Sequence, residues 1–279
     1  MHTTKKLGNF FEKVVPKLQE NEALHNLAFG ILKREVTNEH STLQHWYLES
    51  DGEVVGLLMR TPPHKFIAIC FDHHQVELVG EWILDTVAAS DSNGGFVVEE
   101  TLGNFLKTAW PKRFDSELFI NVGQGVYECL DVATPKVDGG TFHLLGHAEK
   151  DWLVKAYMAF VVETSIGEST HEEAVQTIEK MFTYATFWGL RVDGELVAMC
   201  ANSRSTDNVG VINFVYTPKE FRKRGYGSAI TAYGTQQMIN KFGAAALYTD
   251  LSNPTSNSIY QEIGYKRIGT SLELKVRGV

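Results

Sequence analysis

The order of apolar and polar residues along the chain predicts alternating helices and strands. Apolar residues at helical spacing favour two helices near the N-terminus, over 7–18 and 24–32, and Pro16 is expected to kink or divide the first. A strand pattern follows, and the Asp51-Gly52 pair before a second strand predicts a hairpin with a two-residue turn. The N-terminal half therefore opens with two helices and a hairpin.

Shorter patterns fill the rest of the N-terminal half. They predict a buried strand over 66–71, a helix over 76–89, a helical stretch near 97–109, and strand segments over 114–120 and 125–130. Pro and Gly residues between 131 and 140 then interrupt the pattern. We place a domain boundary there, which gives two predicted domains, 1–135 and 141–279.

The second half is predicted to have the order β-α-α-β-β-β-α-β-α-β. Thr170, with Glu173 three residues later, is a capping box and marks the start of one of its helices. The predicted strands are 141–145, 183–192, 195–203, 209–216, 244–251 and 267–276, and the predicted helices are 149–163, 171–182, 227–242 and 255–263.

One hairpin pattern occurs in both halves at a constant offset of 142 residues. Six of ten positions are identical, which favours two copies of one domain over a chance resemblance between common Asp-Gly turns. The first copy reads Trp46-x-Leu48-x-x-Asp51-Gly52-Glu53-x-Val55, and the second reads Trp188-x-Leu190-x-x-Asp193-Gly194-Glu195-x-Val197.

Composition narrows the class of protein. The chain has 279 residues, of which 43% are hydrophobic and 22% charged, as in ordinary folded proteins. A formal net charge of −8 disfavours general attraction to nucleic acid or anionic lipid. The sequence lacks an apolar run near the roughly 18–20 residues of a membrane span and lacks a signal-peptide pattern, so a cytoplasmic protein without a membrane partner is expected.

A basic loop with two glycines lies between a predicted strand and a predicted helix. Glycine lets successive backbone N–H groups converge, and a helix N-terminus adds the positive end of a dipole, so the loop suits an anion such as a pyrophosphate. It lacks the Gly-Lys-Ser/Thr of a Walker A loop and the third Gly of a dinucleotide fingerprint. The segment reads Thr217-Pro-Lys-Glu-Phe-Arg222-Lys-Arg-Gly225-Tyr-Gly227-Ser228.

The arrangement Arg222-x-x-Gly225-x-Gly227 after a strand resembles the acyl-coenzyme A binding motif of the GNAT superfamily of N-acetyltransferases. The segment Leu247 to Tyr265 is similar to the family's strand ending in Asn, followed by a helix that bears Tyr and closes on Gly-Tyr. This resemblance implies an α/β fold with a mixed sheet flanked by helices over 141–279. It also implies acetyl-CoA as co-substrate.

The resemblance also implies roles for individual residues. The strand would pair with the pantetheine arm, the N–H groups of 223–228 would hold the pyrophosphate, and the N–H of Val215 or its neighbour would stabilise the oxyanion. Tyr260 corresponds to the family's general acid, on the same helix face as Ser256. The implied cofactor-binding residues are Phe214, Val215, Tyr216, Thr217, Arg222, Lys223, Arg224, Gly225, Tyr226, Gly227, Ser228, Asn253, Ser256 and Tyr260.

The general base is the point at which the sequence departs from the family. The strand that enters the loop often carries a carboxylate in the family, whereas this chain has Asn213 and neither Asp nor Glu from 209 to 216. Glu163, near the end of a predicted helix, and a chain of water molecules are the alternatives. If Glu163 has no catalytic role, it is a solvated residue at the end of a helix.

Cysteine and histidine offer rival chemistries. Cys200 is a possible acyl nucleophile, but it lies within a predicted core strand and has no His at a recognisable partner spacing. Cys70, Cys129 and Cys200 are widely separated, so buried thiols are expected in place of disulfides. His73-His74 and His143/His147 lack convergent Cys, Asp or Glu spacing, so a metal site is not expected.

Together, the two halves of the sequence predict one function and leave one alternative open. If the hairpin is a true repeat, residues 1–130 form a second, diverged GNAT-like domain that lacks Arg-x-x-Gly-x-Gly and is not expected to bind CoA in the usual way. The predicted activity is transfer of an acetyl group to a primary amine of a small molecule or peptide in a ternary complex. The alternative is a non-catalytic acyl-CoA sensor or scaffold. The acceptor stays open, as does the choice between monomer and homodimer.

Overall fold

The computed structural model describes residues 7–90, 94–133, 140–164 and 168–278. The chain divides into two compact units, the first formed by Met1–Val126, Tyr248–Pro254 and Arg267–Val279, and the second by Tyr127–Leu247 and Thr255–Lys266. The C-terminal strand thus belongs to the first unit, which a boundary drawn along the chain does not anticipate. Most of the predicted boundary segment, 134–139, lies outside the described residues.

The elements follow the predicted order with few differences. In the N-terminal half they are α1 Leu7–Gln19, α2 Asn26–Val36, β1 Gln44–Ser50, β2 Glu53–Arg60, β3 Phe66–Cys70, α3 Val76–Ala88, β4 Phe96–Glu99, α4 Glu100–Ala109 and β5 Ser116–Cys129. In the C-terminal half they are β6 Gly140–Leu145, α5 Lys150–Glu163, α6 His171–Phe182, β7 Thr186–Val192, β8 Glu195–Asn202, β9 Val209–Val211, β10 Asn213–Tyr216, α7 Tyr226–Phe242, β11 Ala244–Asp250, α8 Pro254–Ile263 and β12 Lys266–Gly278.

Two predictions for the N-terminal half differ from the structure in part. Pro16 does not divide α1, and the buried face of Phe10, Val14 and Leu18 continues on both sides of it. The stretch near 97–109 begins as a strand: Phe96 and Val98 are buried in alternation along β4. Glu99 then accepts hydrogen bonds from the first N–H groups of α4, so the helix starts only at Glu100.

The first unit is a sheet with helices on both faces. Its strands lie in the order β1-β2-β3-β4-β12-β5, with β3 parallel to β4 and β12 antiparallel to β4. Adjacent residues of β2 face opposite sides, as strand geometry requires: Leu57 packs in the core beneath α1 and α2, and Leu58 packs in the core beneath α3 and α4.

The second unit has the same plan. Strands β10-β8-β7-β6 form an antiparallel sheet, and β9 pairs in parallel with β11. Met199 of β8 packs in the core with α5 and α6, whereas its neighbour Cys200 packs in the core with α7. The mixed sheets flanked by helices confirm the predicted fold class.

The repeated hairpin is the same in three dimensions. Both turns are built from an Asp with φ near 50° and a Gly with φ near 80°, the backbone of a type I′ turn. Each hairpin has a register shift at the same place, between Leu48 and Glu49 in the first and between Leu190 and Arg191 in the second. The correspondence thus extends beyond the identical residues to the bulge.

Candidate active site

The strand that enters the basic loop changes partners halfway along. Residues of β9 pair with β11, the N–H of Ile212 donates to the carbonyl of Ala246, and β10 then pairs with β8. Among the described strands, β10 is the edge of its sheet. Its outer N–H and C=O groups can therefore pair with an extended ligand, as an added strand would.

A strained residue makes this change of partners possible. Phe214 has φ +45°, which is rare for a residue with a side chain, and it interrupts the register between β10 and β8. Its ring is buried against α5, with centroids 5.8 Å from Tyr157 and 5.0 Å from Phe160. The aromatic contacts compensate for the backbone strain and hold the bulge in place.

Asn213 takes the position at which the resemblance implies a carboxylate. Its Nδ2 donates to the Ser203 hydroxyl, while its buried Oδ1 has no hydrogen-bond partner within the described part of the chain. An amide does not take a proton at neutral pH, so this side chain does not replace a carboxylate base.

The loop itself presents backbone donors at the start of α7. Lys223 and Gly225 have φ values of +63° and +79°, and Gly225 is the residue immediately before the helix. The first N–H groups of a helix, here those of 226–228, have no acceptor within it. A Cβ on Gly227 would lie 3.2 Å from the Thr217 hydroxyl, so that glycine allows strand end and helix start to approach closely.

Arg222 and Glu163 are joined directly. The Nη2 of Arg222 donates to Glu163 Oε2 at 2.6 Å, and its Nε donates to the Thr217 carbonyl at 2.9 Å. Lys219 Nζ lies 3.9 Å from Glu163 Oε1. The pKa of Tyr216 is raised by burial and by the nearby carboxylate of Glu163. The sequence-predicted base is therefore an ion-pair partner of the loop, not a free carboxylate.

Tyr260 is a partly buried tyrosine of α8. Burial raises its pKa to about 12, against a smaller lowering by its hydrogen bond with Ser256, so its phenol stays protonated at neutral pH. Its helix is fixed where Tyr127 donates to Asn257 at 3.2 Å. Tyr260 packs against the same core cluster as Val215 and Tyr226. Three predicted site residues from strand, loop and helix thus border one core.

Cys200 is a packing residue. It is fully buried, burial raises its pKa well above the usual range, and its thiol contacts the Ile230 carbonyl at 3.4 Å. A Cβ on Gly234 would lie 2.6 Å from its Sγ, so α7 rests directly on the thiol. These features oppose nucleophilic catalysis.

The corresponding region of the first unit is closed. Strand β3 pairs with both β2 and β4 over 67–68, so it does not divide as its counterpart in the second unit does. The carboxylate of Asp72, just before the short turn that leads into α3, accepts from the N–H of His74. A carboxylate therefore accepts from one of the N–H groups at this turn, and its negative charge disfavours a bound anion there.

The remaining predicted features lie as follows. Asn253 belongs to the first unit, where its N–H donates to the Asp250 carbonyl at 3.1 Å. The described residues contain no group of three or more His, Cys, Asp or Glu side chains that could hold a metal ion. None of the described helices is both long and apolar enough to cross a membrane.

Sequence reasoning did not find the strain at Phe214 or the pairs Glu163–Arg222 and Asn213–Ser203. Glu163 and Arg222 are 59 residues apart, and no spacing in the sequence connects them.

The chain is similar to known proteins in part of its sequence and in its fold. Residues 188–274 match the family described as FR47-like protein. A search of curated proteins finds no match. Three solved structures resemble the chain along most of its length. They are a GCN5-related N-acetyltransferase from Kribbella flavida (TM-score 0.60, 19% identity, covering 92% of this chain and 95% of that one), another from Sphaerobacter thermophilus (0.54, 15%, 82% and 79%), and a GNAT-family acetyltransferase from Colwellia psychrerythraea (0.52, 11%, 94% and 97%).

Proposed function

We propose that this chain, which has the GNAT fold and an FR47-like segment over 188–274, is an acetyltransferase that uses acetyl-CoA to acetylate a primary amine. The observation that carries the proposal is the divided strand: β10 leaves β11, offers an open edge and leads into a basic loop at a helix N-terminus. The residues fit the cofactor, since an extended polar arm suits a strand edge and a pyrophosphate suits converging N–H groups.

In the proposed reaction, the amine nitrogen attacks the thioester carbonyl directly. The C–N bond forms, the C–S bond breaks, and the sulfur leaves as a thiolate that takes a proton. Charge that develops on the carbonyl oxygen is stabilised by the N–H of Val215 or its neighbour, and Tyr260 donates to the departing sulfur. The amine proton leaves to Glu163 or to water.

The cofactor would contact both backbone and side chains. The strand Phe214–Tyr216 and Thr217 would flank the pantetheine arm, and the N–H groups of 223–228 would hold the pyrophosphate. Arg222, Lys223 and Arg224 add positive charge to a chain of net charge −8. Ser256 of α8 is a proposed contact for the end of the arm.

The test is release of free CoA thiol from acetyl-CoA in the presence of primary amines. Small amines, amino acids, polyamines, aminoglycosides and peptides are each assayed with the enzyme, and mass spectrometry identifies the acetylated product. We expect amine-dependent thiol release for one class of amine. The enzyme is proposed to be cytoplasmic and to be a monomer or homodimer.

A non-catalytic acyl-CoA sensor is the second candidate, favoured by the amide at Asn213 in place of a carboxylate. Saturable binding of acetyl-CoA without thiol release for any amine would support the sensor and contradict the enzyme.

A further inference from the structure

The end of α5 supplies an acidic side chain to a loop that is proposed to bind anions. Glu163 is hydrogen-bonded to Arg222 and lies within 4.0 Å of Lys219 as well. A carboxylate on these two cations reduces the positive charge available to a phosphate. The stated mechanism does not require this arrangement.

Arg222 has two contacts that do not involve Glu163. Its Nε donates to the Thr217 carbonyl, and its guanidinium lies 6.0 Å from the centre of the Tyr216 ring. A guanidinium has five N–H donors in a fixed plane, so the donor that now meets Glu163 can serve another anion without moving the anchored Nε.

The ion pair between Arg222 and Glu163 can be replaced by another anion at little cost in free energy. The side chains of Arg222 and Glu163 are 39% and 29% exposed, and partly exposed ion pairs contribute little net free energy. A phosphate carries more charge than a carboxylate and binds guanidinium by charge-assisted hydrogen bonds. Phosphate groups that arrive at the loop therefore compete effectively for Arg222.

We propose that Glu163 competes with the cofactor's phosphates for Arg222, and that acyl-CoA binding displaces this carboxylate from the guanidinium. The inference rests on the proposed function. One ion pair exchanges its anion, and no covalent bond changes.

The first experiment is calorimetric titration of CoA into the full chain and into two variants. Glu163→Gln keeps the shape but removes the charge, and Glu172→Gln removes an exposed carboxylate from the first turn of α6 as a matched control. We expect Glu163→Gln to bind CoA about two- to fivefold more tightly at low ionic strength, with the gain reduced at high salt. The control is expected to bind like the unaltered chain.

A double-variant cycle tests whether the effect passes through Arg222. In an Arg222→Gln background, Glu163→Gln is expected to change CoA affinity less than it does in the unaltered chain. Unchanged or weaker CoA binding by Glu163→Gln, with circular dichroism showing an intact fold, would mean that Glu163 only ties the loop to α5, and would overturn the proposal.

Absence of CoA binding in both the unaltered chain and Glu163→Gln would instead contradict the proposed function itself.

Discussion

The two glycines that bound α7 give a test that separates binding from folding. Gly225 precedes the helix with φ +79°, and Gly243 follows it with φ +97°. A Cβ built on either residue meets no heavy atom within 4 Å. Substitution by Ala therefore adds backbone strain alone at both positions, about 1–2 kcal/mol each.

This magnitude predicts matched losses of stability. Gly225→Ala and Gly243→Ala should each lower Tm by several degrees, because 1 kcal/mol corresponds to roughly 2–8 °C for domains of this size range. Their effects on ligand binding should differ. Strain at Gly225 turns the N–H groups of the loop away from one another, whereas Gly243 lies at the opposite end of a 17-residue helix.

The assay is calorimetric titration of acetyl-CoA at a temperature where both variants are folded. We expect Gly225→Ala to weaken binding at least tenfold and Gly243→Ala to leave it within about twofold. Gly225→Val should abolish binding, since a β-branched residue tolerates positive φ even less. Equal affinity in the two Ala variants would refute the assignment of the loop as the pyrophosphate site.

Three further predictions follow. Tyr260→Phe should lower kcat at least tenfold while changing CoA affinity less than twofold. Tyr233 stacks on Phe142 in the same core, and Tyr233→Phe should change neither kcat nor affinity. Equal loss of kcat and affinity in Tyr260→Phe would show that the Tyr260 phenol takes no part in the chemistry. Burial lowers the pKa of His25 to about 4, so its neutral form stabilises the fold above pH 6.5, and this contribution is lost as pH falls through 4. In urea unfolding, the free energy of unfolding should fall less over that pH range for His25→Phe than for the unaltered chain. Identical pH dependence of the two would count against this reasoning. Iodoacetamide at pH 8 should leave Cys200 unmodified in the folded chain, and mass spectrometry showing rapid labelling would contradict its burial.

Local sequence signals predicted most of the fold. The Asp-Gly turns, the Thr170 cap and the periodicity of α3, α6 and α7 each depend on a few neighbouring residues. The membership of β12 in the first unit was not predicted, because strand pairing joins residues distant in sequence, as Leu272 pairs with Val98.

The candidate site was predicted in composition but not in arrangement. The glycines and basic residues of the loop carry their chemistry in the sequence itself. The Phe214 ring, on a residue with positive φ, contacts a ring of α5, and Glu163 pairs with Arg222. Neither contact is visible in local spacing. In the first unit, β3 pairs with both β2 and β4 over 67–68, and local spacing does not reveal this pairing either.

The divided strand and the basic loop of the second unit are proposed to bind acyl-CoA. Calorimetric titration of acetyl-CoA into the full chain tests it most directly. We predict saturable binding of one acetyl-CoA per chain, since only the second unit has a divided strand among the described residues. Absence of binding would contradict the account, and two equivalent sites would contradict the closed state of the first unit.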